Sequence, residues 1–159
     1  MQYTLVDLLM QEHVIINLEA KDASGVIEAL VGVLNETGHV EKLYAEDVIE
    51  REKIFPTGLP TEPLQVAIPH ADPDHVNSSA VGIAILNHPV EFGMMGTDGS
   101  ERVKIKIVIL LAIKEQEKQV EMLQQLVTVI QSGELLTRLV EVEDAGQVVQ
   151  LVKEYSSVG

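Results

Sequence analysis

Val103-Lys104-Ile105-Lys106-Ile107-Val108-Ile109-Leu110-Leu111-Ala112 is the stretch that decides the fold. Its first half alternates, with Lys104 and Lys106 opposite Val103, Ile105 and Ile107, as a strand with one wet face does. Its second half is apolar on both faces, which is the environment of a central strand covered from both sides.

Downstream of this strand the period changes to that of helices. Val120, Leu123, Leu126, Val127 and Ile130 mark one, Leu135, Leu136 and Leu139 a second, and Val148, Val149, Val152 and Tyr155 a third. Upstream, Ser78–Leu86 is a strand rich in Val, Ile and Ala, closed by Asn87, His88 and Pro89, and 65–69 is a shorter one. Gly93–Ser100 reads as a turn region. Asp22 is placed to cap a helix carrying Val26, Ile27, Leu30, Val31 and Leu34 and ending at Gly38. Residues 45–55 form another helix, stopped by Pro56 and Gly58, and the three prolines of 56–63 indicate an ordered loop. Residues 13–18 suit a strand, preceded by a short helix over 5–10. Helices on both sides of a block of strands predict a single-domain, three-layer α/β/α sandwich over 1–159, with a mixed sheet of about five strands.

Composition narrows the function. The 159 residues are 46% apolar and 23% charged, an ordinary globular balance. With no Cys, disulfides, thiol chemistry and Cys-based zinc sites are excluded. A net charge of −14 repels nucleic acid and anionic lipid. The first residues have no basic n-region and already carry Asp7, so no signal peptide is expected. Ile107–Ile113, the longest apolar run, is too short to span a bilayer. A cytoplasmic protein, not inserted in the membrane, is the expectation.

Five histidines stand at 13, 39, 70, 75 and 88. His13 and His39 have nothing chemical beside them in sequence and read as solvated surface residues, and His88, before Pro89, as a turn residue. His70 directly follows Val66-Ala67-Ile68-Pro69, where a buried strand emerges, and strand ends are where α/β sheets place ligands. Pro69 restricts the approach of the chain to it. The string His70-Ala71-Asp72-Pro73-Asp74-His75 also invites a metal reading, a hydrolase site built from His70, Asp72, Asp74 and His75; a minimal three-ligand site is chemically possible, but only His88 follows downstream to add to it.

A wider pattern surrounds His70: Arg51-Glu52, then Phe55-Pro56-Thr57-Gly58-Leu59, then Val66-Ala67-Ile68-Pro69-His70-Ala71-Asp72, then Ser78-Ser79-Ala80. In residues and order it resembles the phosphotransferase-system enzyme IIA family of the fructose/mannitol class (type 2), nearest to the galactitol-type branch. The resemblance extends along essentially the whole chain, through Leu110-Leu111-Ala112 and Met122-Leu123-Gln124-Gln125-Leu126.

What the resemblance implies is a phosphotransferase. His70 would take a phosphoryl group, through Nε2, from phospho-HPr and pass it to a cysteine of a cognate IIB protein serving a membrane IIC component, for uptake of a galactitol-like sugar. No cofactor is implied, and without a fused IIB- or HPr-like segment the partners would be separate proteins. Arg51 matches the family's active-site arginine, and a guanidinium fork fits phosphoryl oxygens. Thr57 would shape the loop beside the site or donate a hydrogen bond to the phosphoryl group. Mannitol- and nitrogen-type members commonly carry a second histidine where this chain has Gln119, which donates a hydrogen bond but carries no charge. A regulatory role, in which phosphorylation controls a bound protein as in nitrogen-type members, is the alternative.

Overall fold

The computed structural model describes residues 3–156, so 1–2 and 157–159 of the expected domain lie outside the described residues. Strand β1 (Leu9–Leu18) leads to α1 (Ala23–Glu36) and α2 (Tyr44–Ile54), then to the short β2 (Gly58–Leu59) and β3 (Gln65–Ala67). The long strands β4 (Ala80–Gly93) and β5 (Arg102–Ala112) follow, and α3 (Gln116–Ile130), α4 (Gly133–Leu139) and α5 (Ala145–Ser156) complete the chain. The strands form one sheet in the order β1-β4-β5-β3-β2, with β5 in the middle as its doubly apolar half requires. β1 runs parallel to β4 and β3 parallel to β5, whereas β4–β5 and β2–β3 are antiparallel, so the sheet is mixed.

Each face has its own core. Val26, Ile27, Leu30 and Leu34 of α1 pack with Ala84, Val108 and Leu110 on one face. Met122, Leu126, Ile130 and Leu136 pack with Ile83, Ile107 and Ile109 on the other. Asp22 caps α1 as its sequence position indicates, its Oδ1 accepting from the Gly25 N–H at 2.9 Å. Among the described residues no helix is long and apolar enough to cross a membrane.

Several expectations are corrected. Over 5–10 there is only a 3-10 turn, Val6–Leu8, and β1 begins at Leu9. β4 does not stop at Leu86 but continues through Asn87, His88 and Pro89, which occupy an irregularity between the pairs Ile85↔Ile107 and Val90↔Ile105. A bulge frees ladder groups there, which is how a strand tolerates proline. His88 is therefore an exposed strand residue and not part of a turn. The alternation in β5 slips at Lys106: Ile105 belongs to the α1 face and Ile107 to the α3 face. The register against β3 jumps at the same point. His13 is fully buried and not at the surface; its Nε2 lies 2.7 Å from Thr37 Oγ1 at the end of α1, with the half-buried His39 ring edge-on at 4.9 Å. The 56–63 loop contains β2, and Gly58 is required there because a Cβ would stand 2.6 Å from the Gly93 carbonyl oxygen.

Candidate functional site

β3 and β5 are parallel, so both end at the same edge of the sheet, and the chain beyond β3 stays beside β5 for a few residues. The Leu111 N–H donates to the Pro69 carbonyl at 3.1 Å, and His70 is bridged to Leu111. His70 thus stands, half-buried, at a carboxyl-end crevice of the sheet, as its position after a buried strand predicts.

The backbone sets the tautomer of His70. Its Nδ1 lies 2.9 Å from the Ile68 carbonyl oxygen, which only accepts, so Nδ1 carries the proton and Nε2 holds a free lone pair. Burial pushes the His70 pKa below its ordinary value, assisted by the Arg51 charge and opposed by the Ile68 hydrogen bond and by Asp72. The ring is accordingly neutral and nucleophilic near pH 7.

Arg51 enters from the last turns of α2. Its Nη1 is 4.0 Å from Asp72 Oδ1 and its guanidinium lies over the Phe55 ring, 5.0 Å from the centroid. Its Nε is buried without a hydrogen-bond partner among the described residues. The guanidinium is held in place by an aromatic face and one long ionic contact, which leaves donors for an anionic group. Beside it runs a groove of about 310 Å³ lined by Glu46, Asp47, Glu50, Arg51, Asp72 and Asp74.

Thr57 is buried, and its hydroxyl and backbone N–H both donate to Glu52, at 2.8 Å each. Its carbonyl accepts from the Ile68 N–H at 3.3 Å. This geometry fits the loop-shaping role. Glu52 belongs to the Arg51-Glu52 pair of the sequence pattern, which gives it no role of its own. Burial drives its carboxyl up to about 7, offset only in part by the two Thr57 hydrogen bonds and by Arg102.

That shift fixes the sign of a pH dependence. Below about pH 4.5 the carboxyl is protonated in both folded and unfolded chains, and the native advantage is complete. As pH rises to about 7 the unfolded carboxyl ionises first and the advantage is lost, up to about 3 kcal/mol. Glu52→Gln mimics the neutral acid, accepting from the Thr57 N–H and donating to its hydroxyl. Urea unfolding at pH 5 and pH 8 is expected to show the variant gaining on wild type by about 1–3 kcal/mol between the two; an unchanged difference contradicts this account.

Gln119 lies near His70 in the fold. Its Nε2 donates to the Ala71 carbonyl at 3.0 Å, one residue past His70. Sequence reasoning also missed Tyr44, which is fully buried. Its hydroxyl donates to the Leu111 carbonyl at 2.8 Å and accepts from the Ala71 N–H at 3.2 Å. Nothing local marks such a residue, since both partners are distant in sequence.

The side chains of the 70–75 string face different partners. His70 faces the Ile68 carbonyl, Asp72 faces Arg51, and His75 Nδ1 pairs with Asp47 Oδ2 at 2.5 Å. Among the described residues no three His, Asp or Glu side chains converge as a ligand set.

Known proteins share both fold and sequence with this chain. The transcriptional regulator ManR of Bacillus subtilis is 33% identical over 105 residues, which are 66% of this chain and 14% of that protein, so the match spans only a small part of the relative. The galactitol-specific EIIA component of the Escherichia coli phosphotransferase system is 28% identical over 75% of this chain and 78% of its own length. The fold superposes, with a TM-score of 0.74 at 22% identity, on enzyme IIAMTL in its complex with phosphorylated enzyme IIBMTL from Escherichia coli, covering 92% of this chain and 99% of that one. The model of the family described as "Phosphoenolpyruvate-dependent sugar phosphotransferase system, EIIA 2" matches residues 7–155, and the chain belongs to this family of phosphotransferases.

Proposed function

We propose that the chain is a cytoplasmic phosphocarrier in which His70 accepts a phosphoryl group from phospho-HPr and gives it to a cysteine of a IIB protein of the galactitol type, serving a membrane IIC component. The observation that carries the reading is the His70 Nε2 lone pair, fixed by the Nδ1–Ile68 contact, with the Arg51 charge close enough to bear on the ring. In the forward step the Nε2 lone pair attacks phosphorus and the P–N bond to the donor imidazole breaks, its electrons returning to the donor ring. The His70 ring gains positive charge while Nδ1–H still faces the Ile68 carbonyl, so no proton has to be lost. Arg51 stabilises the equatorial oxygens, and Thr57, held by Glu52, shapes the loop alongside. In the second step a cysteine thiolate displaces the group, and the electron pair returns to Nε2.

The galactitol branch is supported by the 28% identical relative, and a regulatory use of the same phosphorylation is supported by the match to ManR. The two uses separate on the acceptor. The protein is charged with phosphoenolpyruvate, enzyme I and HPr, then offered purified galactitol-type and mannitol-type IIB proteins. Discharge within seconds to the galactitol-type IIB alone is the expected result. Rapid discharge to the mannitol type alone overturns the sugar, and a phosphoprotein stable to every IIB favours regulation.

A further inference from the structure

Parallel strands end in a ladder rung, and the rung at the end of β3 and β5 is unusual. On one side of His70 the Leu111 N–H donates directly to the Pro69 carbonyl. On the other, the Tyr44 hydroxyl is interposed, receiving the Ala71 N–H at 3.2 Å and donating to the Leu111 carbonyl at 2.8 Å. The Ala71 carbonyl is held in turn by Gln119 Nε2 at 3.0 Å. Both polar groups of Ala71, itself 3% exposed, are therefore bound by side chains. Those side chains come from opposite layers: Tyr44 lies in the core on the α1 face, and Gln119 projects from α3, whose Met122 and Leu126 belong to the core on the other face.

We propose that Tyr44 and Gln119 are positioning residues that clamp the His70–Ala71–Asp72 backbone from the two faces of the sheet and so set the direction of the His70 ring. The proposal rests on His70 being the phosphorylated residue. It gives Gln119 a structural partner, the Ala71 carbonyl, in place of a direct contact with the phosphoryl group. The chemistry explains why these residue types suit the task. A phenol both donates and accepts, so one atom completes a rung between an N–H and a carbonyl, and an amide N–H suits a lone carbonyl without adding charge. The ring of Tyr44 anchors its hydroxyl rigidly, because the residue is fully buried. Placement matters because in-line transfer depends on the approach of one nitrogen, and a misplacement of about 1 Å lowers such rates by about a hundredfold.

Two variants test the clamp: Tyr44→Phe, which removes the hydroxyl and keeps the ring, and Gln119→Glu, which keeps the shape but turns the donor into an acceptor facing a carbonyl. Each is assayed at 25 °C and pH 8 for transfer from phospho-HPr, with His70→Ala as control. The clamp predicts that kcat falls about ten- to a hundredfold in each variant, while KM stays within about twofold. It also predicts that the His70 titration, followed by imidazole NMR, moves up toward its ordinary value as the ring becomes better solvated, and that the Ala71 amide exchanges faster in Tyr44→Phe. Wild-type kcat in the folded variants, or a raised KM with kcat unchanged, overturns the proposal. Should Tyr44→Phe fail to fold, Gln119→Glu decides alone, because its side chain is half-buried on a helix that the substitution leaves intact. The underlying reading fails separately: if His70→Ala is still labelled, His70 is not the acceptor, whereas an unlabelled His70→Ala beside two fully active variants defeats only the clamp.

Discussion

His70→Ala protein incubated with phosphoenolpyruvate, enzyme I and HPr is expected to remain unlabelled, while wild type forms an acid-labile, alkali-stable phosphoprotein. The expectation follows from how the other four histidines are placed. His13 is fully buried with Nε2 against Thr37, and His39 contacts the same hydroxyl through Nδ1 at 2.9 Å. His88 lies exposed on a bulged strand with no arginine described beside it. His75 is the serious competitor, because its pairing with Asp47 uses Nδ1 and not Nε2, but that hydrogen bond raises its pKa and favours the protonated, non-nucleophilic ring. His70 alone combines a backbone-fixed tautomer, a lowered pKa and a neighbouring guanidinium. Stability should change little, since the ring is half-buried and one hydrogen bond to a carbonyl is worth about 0.5–1.5 kcal/mol. Undiminished labelling of a folded His70→Ala protein, with His75→Ala silent, would reassign the acceptor.

Arg51→Ala is expected to lower the rate of transfer by about 100- to 1,000-fold, the usual cost of removing a preorganised group that stabilises developing charge. The fold should barely register the change. The substitution removes a cation–π contact with Phe55, worth about 0.5–1 kcal/mol, and an Asp72 contact at 4.0 Å between partly exposed groups, which adds little. It also removes a buried Nε without a described partner, which offsets part of that loss. Arg51→Lys should recover only part of the activity, because an ammonium supplies charge without the planar fork. Quenched-flow transfer rates set beside urea midpoints check this directly. A rate loss that merely tracks lost stability would remove Arg51 from the mechanism.

Much of this was legible in the sequence because it is written in local periodicity. β5, the cap at Asp22 and the bounds of α1 and α2 follow from patterns within a dozen residues, and the Pro-Thr-Gly loop and Ile68-Pro69-His70 carry the family signature. What was not legible depends on partners far along the chain. Tyr44 reaches Leu111, 67 residues away, and its role comes from a ladder that the helix pattern cannot show. His13 lies between polar and apolar neighbours on an edge strand, and only the end of α1 folding over it buries the ring. His88 and Pro89 carry a turn signal, and the bulge opposite Lys106, whose Nζ donates to the Asn87 carbonyl at 3.0 Å, keeps them in the strand instead. Glu52 looked like one of many surface carboxylates; its proton affinity is set by the loop that closes over it.

The central claim is that the phosphoryl group is carried on one nitrogen, Nε2 of His70. Nitrogen-15 and phosphorus-31 NMR of the enzymatically phosphorylated protein, with the imidazole signals assigned, reads this without any substitution. The account predicts a single phosphoryl group coupled to Nε2 of His70, with Nδ1 still protonated toward the Ile68 carbonyl. A phosphoryl group on Nδ1 of His70, or on the imidazole of His75, would contradict it.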